Sequence, residues 1–171
     1  MASTEALAPA LPPRLDRMTR ALLQAACDRN LMIATAESCT GGLLASLLTD
    51  VPGCSHAFDR GFVVYTDEAK QELLGVPLGV LETQGAVSVA AARAMADGAL
   101  ARSRAQIAIS VTGYAESPPG GEGEAGLVYL ACARHGLETA VRREHFGDVG
   151  RAQVRLACLR SALEMLRDAV G

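Results

Sequence analysis

Three short segments hold the residues best suited to chemistry. The first is Thr35-Ala36-Glu37-Ser38-Cys39-Thr40-Gly41-Gly42, where an apolar run gives way to a helical pattern. It would present Ser38 beside a helix N-terminus, where unpaired N–H groups and the helix dipole favour an anion. The second is Tyr65-Thr66-Asp67-Glu68-Ala69-Lys70, which sets Lys70 one turn into a helix. The third is Ser110-Val111-Thr112-Gly113, followed by a run rich in glycine and proline. All three read as strand ends, and ligands of α/β sheets sit beyond the carboxyl ends of strands. Serine and lysine on neighbouring strand ends can build an acyl-transfer nucleophile without histidine. A desolvated amine loses its proton toward neutral pH and can then accept that of the hydroxyl. The first segment also has a plain alternative. Ser38 or Thr40 would serve equally as a helix cap, and Gly41-Gly42 would suit close helix–sheet packing.

Lys70 carries a further signal. It is the only lysine among the 16 basic residues, all the others being arginine. In a chain rich in Ala, Gly and Arg, lysine survives most readily where guanidinium cannot replace an amine that sheds its proton. The alternative is chance.

These segments need elements to position them. Residues 1–13 read as a loose leader, and the spacing of Leu15, Met18, Leu22, Leu23 and Ala26 predicts an amphipathic helix over 14–29. Buried strands are expected at 31–36, 61–66 and 106–112, with helices at 40–49, 67–74 (capped by Asp67, stopped by Gly75) and 88–102 (capped by Ser88). Val89, Ala92, Met95, Ala96 and Ala99 would form the inner face of the last of these. Residues 113–126 form a loop. Strands at 127–134 and 138–146 joined through His135-Gly136 imply an antiparallel pair, and a helix over 151–170 closes the chain. The whole describes a single α/β domain over 14–171, a three-layer α/β/α sandwich on a five-stranded mixed sheet.

Composition narrows the function classes. Half of the 171 residues are hydrophobic and 20% are charged, which excludes a disordered chain. A formal charge of −3 argues against a nucleic-acid or membrane-surface partner. There is no apolar run long enough to span a bilayer, and Met1–Pro13 lacks a signal peptide's basic and apolar regions, so a cytoplasmic location is expected. The five cysteines include no Cys-x-x-Cys pair, and His56, His135 and His145 have no i,i+4 partner. Neither a metal nor another cofactor is expected. The apolar surface of so alanine-rich a chain is compatible with a homo-oligomer.

The runs Ala36-Glu37-Ser38-Cys39-Thr40-Gly41-Gly42, Gly61 to Lys70, Leu73-Leu74-Gly75-Val76, Gly85-Ala86-Val87-Ser88 and Val111-Thr112-Gly113 resemble the CinA C-terminal domain family, also called competence/damage-inducible proteins. The resemblance runs from about Arg14 to the C-terminus. It implies a stand-alone member without the molybdopterin-binding-like domain of larger relatives. The implied activity is a nicotinamide-nucleotide amidase, with nicotinamide mononucleotide as small-molecule substrate and nicotinic acid mononucleotide and ammonia as products. Ser38 then matches the family serine and Lys70 the lysine of its Tyr-x-x-Glu-Ala-Lys segment, with Tyr65 beside the dyad. Glu37, Thr40, Gly41, Gly42, Thr112 and Gly113 match positions expected around the substrate. Backbone N–H groups of Thr40–Gly42 or Thr112–Gly113 would hold the oxyanion.

The chain departs from the family after Val111-Thr112-Gly113, where Tyr114 to Gly126 replaces the usual Ile-Ala-Gly-Pro run and its later lysine. Glu116, Glu122 and Glu124 are then expected to repel a phosphate at the rim. The Gly-Asp-Arg signature is interrupted as Gly147-Asp148-Val149-Gly150-Arg151. Two other readings follow from this loop: a binding or regulatory module that has lost turnover, and an amidase whose substrate lacks the phosphate.

Overall fold

The computed structural model describes residues 12–118, 120, 121 and 123–171. The chain runs α1 (Pro13–Asp28), β1 (Ile33–Glu37), α2 (Leu43–Thr49), β2 (Phe58–Val63), α3 (Asp67–Leu74), α4 (Leu78–Gln84), α5 (Val89–Ala101), β3 (Ile107–Gly113), β4 (Leu127–Arg134), β5 (Ala140–His145) and α6 (Arg151–Val170). A short 3-10 turn, Ser55–Ala57, leads into β2. The five strands form one sheet in the order β2-β1-β3-β4-β5. β1 lies parallel to both β2 and β3, whereas β3–β4 and β4–β5 are antiparallel, so the sheet is mixed as expected.

Side-chain alternation along the strands builds two unlike faces. Ile33, Ile107, Ile109, Val111, Val128 and Leu130 turn toward α1, α2 and α6 and form the larger core. Ala34, Ala36 and Ala108 turn the other way, against Leu74, Leu81 and Met95 of α3, α4 and α5. Ala131 and Ala133 of β4 continue that face against Ala92 and Ala96 of α5. The alanines thus let α5 lie close to the sheet. They are buried, and so supply none of the apolar surface that made a homo-oligomer an expectation.

The elements depart from the sequence reading at several points. β2 begins at Phe58, earlier than expected, because Asp59 and Arg60 disguise a strand on the sheet edge; the Asp59 carboxylate is bonded to Arg60 and Arg104. α2 begins at Leu43 rather than Thr40, since Gly41 and Gly42 hold φ values of 58° and 94° that interrupt a helix. Thr66, not Asp67, caps α3, its hydroxyl accepting from Ala69 N–H at 3.1 Å. α4 was not foreseen, and Val89, 47% exposed at the first turn of α5, does not lie on that helix's inner face. The Ser88 cap on Ala91 and the full extents of β4 and α6 are as expected.

Candidate active site

Adjacent parallel strands bring the serine and the lysine together. β1 ends at Glu37, and Ser38 continues its line, donating its N–H to Val111 O of β3 at 3.0 Å. β2 ends one strand away and the chain turns into α3, whose first turn returns Lys70 toward β1. Lys70 Nζ lies 3.5 Å from Ser38 Oγ. Nζ also reaches the carbonyls of Val64 at 3.1 Å and Tyr65 at 3.3 Å, with that of Thr66 at 3.5 Å. The residue is only 1% exposed, and among the described residues no carboxylate is bonded to it. Burial pushes its amine below the ordinary lysine value, against weaker pulls from Asp67 and Cys39. Once deprotonated, the amine would keep hydrogens for these carbonyls and have a lone pair to take the Ser38 hydroxyl proton.

The turn after Ser38 does different work from that expected. Glu37 is fully buried and faces away from the pocket. Its carboxylate accepts the N–H groups of Gly42 at 3.2 Å, Leu44 at 3.0 Å and Ala45 at 2.8 Å. The protein's own carboxylate therefore occupies the anion seat at the start of α2. Gly41 N–H is engaged by Ser38 O at 3.0 Å. Thr40 is buried, and its carbonyl accepts from Arg155 Nη2 at 2.8 Å. Glu37, Thr40, Gly41 and Gly42 thus shape the turn that presents Ser38 and do not line the pocket.

The pocket is about 260 Å³ and is lined by Ser38, Lys70, Tyr65, Thr112, Gly113 and Arg151, among others. Thr112 is held by its own bond to Ala86 O at 2.8 Å. Tyr114 N–H pairs with Leu127 O of β4 at 2.9 Å, so strand alternation turns the Gly113 N–H the opposite way, past the end of β1 toward Ser38. A side chain on Gly113 would collide with Leu127 O, 2.6 Å from an added Cβ. Tyr65 stands at the mouth, 65% exposed; its phenol makes no hydrogen bond to the dyad among the described residues, and its carbonyl touches Lys70.

Arg151 is the pocket residue that the sequence reading did not single out, although it ends the interrupted Gly-Asp-Arg signature. It forms an ion pair with Glu116, which holds that carboxyl below its usual range. Glu124 in turn lies 3.3 Å from His145. Glu116 is therefore paired with a cation and Glu124 lies against the His145 ring, while Glu122 lies outside the described residues. Among the described residues, no group of three or more His, Cys, Asp or Glu could hold a metal. No helix among them is long and apolar enough to cross a membrane.

An α/β/α sandwich with a buried serine–lysine pair at its strand ends is the class that fold and site define together. Residues 15–170 match the CinA C-terminal domain model, and the chain belongs to that family. A CinA-like protein of Akkermansia muciniphila is 49% identical over 131 residues, covering 75% of this chain and 31% of the relative. A CinA-like protein of Anaeromyxobacter is 45% identical over 141 residues, covering 81% of this chain and 34% of that protein. The chain spans about a third of the length of these curated relatives. Among solved structures, the competence/damage inducible protein CihA from Agrobacterium tumefaciens superposes with a TM-score of 0.89 at 44% identity, over 95% of this chain and 99% of that one. A CinA superfamily protein from Escherichia coli gives 0.84 at 34% identity, over 93% and 94%.

Proposed function

We propose that the chain is a serine–lysine amidase that hydrolyses the carboxamide of nicotinamide mononucleotide to nicotinic acid mononucleotide and ammonia. The observation that carries this reading is the 3.5 Å approach of a buried, desolvated Lys70 amine to Ser38 Oγ. Lys70 takes the hydroxyl proton as Ser38 attacks the carboxamide carbon, and the Gly113 N–H faces the developing oxyanion. The Lys70 ammonium then protonates the departing amine, ammonia leaves, and water admitted to the same site releases the acid. A pocket of about 260 Å³ suits a pyridine ring and a ribose better than a dinucleotide. Arg151 at its mouth is the cation that a phosphate would meet.

Ammonia release from nicotinamide mononucleotide, from its riboside and from a Ser38→Ala variant tests the reading. Turnover by the native chain and none by Ser38→Ala supports it; equal release by both removes it. The Glu116–Arg151 ion pair favours a second reading, in which the substrate lacks the phosphate. Faster turnover of the riboside than of the mononucleotide would select it.

A further inference from the structure

The acid that opens α3 has no structural task. Asp67 reads in the sequence as the cap of that helix, yet the cap is Thr66, whose hydroxyl accepts the Ala69 N–H at 3.1 Å. Among the described residues the Asp67 carboxylate makes no ion pair. Only its backbone carbonyl takes a side-chain donor, Gln71 Nε2 at 3.5 Å. Asp67 instead lines the pocket that holds Ser38 and Lys70. Lys70 stands three residues on, so the two share a face of α3. Asp67 is near enough for its field to reach the Lys70 amine.

The other charged residues of the pocket are already matched. Arg151 is paired with Glu116. Lys70 Nζ lies among three carbonyls and Ser38 Oγ, where desolvation favours its uncharged form. With that amine neutral and the arginine balanced by its acid, the charge left over is the carboxylate of Asp67. Two of the chain's three tyrosines, Tyr65 and Tyr114, line the same space. Aromatic rings attract ligand cations. A free carboxylate and two tyrosines around a pocket of about 260 Å³ suit a positive ring better than a neutral one. A pyridine nitrogen bonded to a sugar or an alkyl group carries such a charge.

Resting on the amidase reading for the carboxamide, we propose that Asp67 is the specificity-determining residue for ring charge, so that the pocket takes carboxamides of N-substituted pyridinium rings and disfavours the same rings in neutral, dihydro form. Asp67 recognises the ring and needs neither ribose nor phosphate. The class it admits therefore includes 1-methylnicotinamide as well as the nucleoside and the nucleotide. An opposite unit charge at contact distance in water is worth about a fivefold change in affinity, and more beside a low-dielectric wall. The same carboxylate could instead accept from ribose hydroxyls, and the choice of ligands separates the two uses.

The experiment measures binding by equilibrium dialysis to the full chain carrying Ser38→Ala, so that no ligand is turned over. The ligands are nicotinamide riboside, its neutral dihydro form and 1-methylnicotinamide, a cation without ribose. The riboside should bind at least about fivefold more tightly than its dihydro form. Adding Asp67→Asn should weaken both cations about three- to tenfold and change the dihydro form less than about twofold, which also shows the pocket intact. Asp67→Glu keeps the charge and should retain most of the preference. Equal weakening of the riboside and its dihydro form would give Asp67 to the ribose and overturn the proposal. Cation binding indifferent to Asp67→Asn, or no binding of either cation, would overturn it too. Binding needs no turnover, so the two readings fail separately. Asp67-dependent capture of both cations, with no ammonia released from nicotinamide mononucleotide by the native chain, would support this proposal and remove the amidase alone. Ready turnover with binding blind to ring charge would do the reverse.

Discussion

Lys70 sits where an ammonium is poorly solvated, and that fixes what a change of one side chain should do. Lys70→Arg keeps a positive charge but cannot give up its proton, and a guanidinium is too large for the carbonyl cage of Val64, Tyr65 and Thr66. Turnover should be lost with substrate binding largely retained, as steady-state kinetics and equilibrium dialysis would separately show; near-normal turnover would mean that Lys70 transfers no proton. The native chain should show kcat/KM rising with pH through a Lys70 value below the ordinary 10.5. The sign for stability follows. Between the lowered value and 10.5 the unfolded chain binds the Lys70 proton and the folded chain does not, so this group's contribution to stability increases with pH there. A kcat/KM profile flat below pH 9 would count against lysine as the base. At this scale the dyad was legible because residue types carry it: one serine and a lone lysine at strand ends. The roles of Glu37, Thr40, Gly41 and Gly42 were not, because nothing in a string of letters shows two successive left-handed glycines folding the turn back onto a carboxylate.

Two elements hold the nucleophile and the rim in place. The start of α2 depends on Glu37, whose two carboxylate oxygens satisfy three N–H groups. Glu37→Gln turns an N–H₂ toward some of those donors, and leaving buried donors unpaired costs about 1–3 kcal/mol. Urea unfolding should show a loss of that size, together with reduced turnover as Ser38 shifts; an unchanged midpoint would show that the turn stands without its cap. The rim loop is governed by Glu116. Both it and Arg151 are substantially exposed, so their pairing is weak and easily exchanged for a substrate anion. Glu116→Gln should lower KM for nicotinamide mononucleotide about two- to fivefold and leave the riboside unchanged, with the gap shrinking as salt is raised. Equal changes for both compounds would place the pair away from the phosphate. Element positions were mostly readable from apolar periodicity. β2 and α4 were not, since an edge strand carries Asp59 and Arg60, and α4 follows Pro77 with Gly79 inside it.

Across the whole molecule the two helical layers meet the sheet on different terms. One face fills its space with Ile, Leu and Val, and the other brings α5 down on alanines and sets α3 against α5. That second layer carries Lys70, so the distance between the dyad partners depends on how α3 is seated as well as on the strands. The closest point is Gly98 of α5, where an added Cβ would overlap the Leu74 carbonyl at the end of α3. Gly79 in α4 is the internal control, because a Cβ there meets nothing within 4 Å. Alanine is worth about 1 kcal/mol over glycine inside a helix, and overpacking costs about 1–3 kcal/mol. Gly79→Ala should therefore raise stability by up to about 1 kcal/mol with activity unchanged. Gly98→Ala should lower stability by about 1–2 kcal/mol and reduce kcat, because α3 moves off α5 and withdraws Lys70 from Ser38. Denaturant titration and steady-state kinetics on both variants decide the matter. If Gly98→Ala gained stability as Gly79→Ala does, α3 would not be braced by α5, and the lysine's position would have to be set by its carbonyl cage alone.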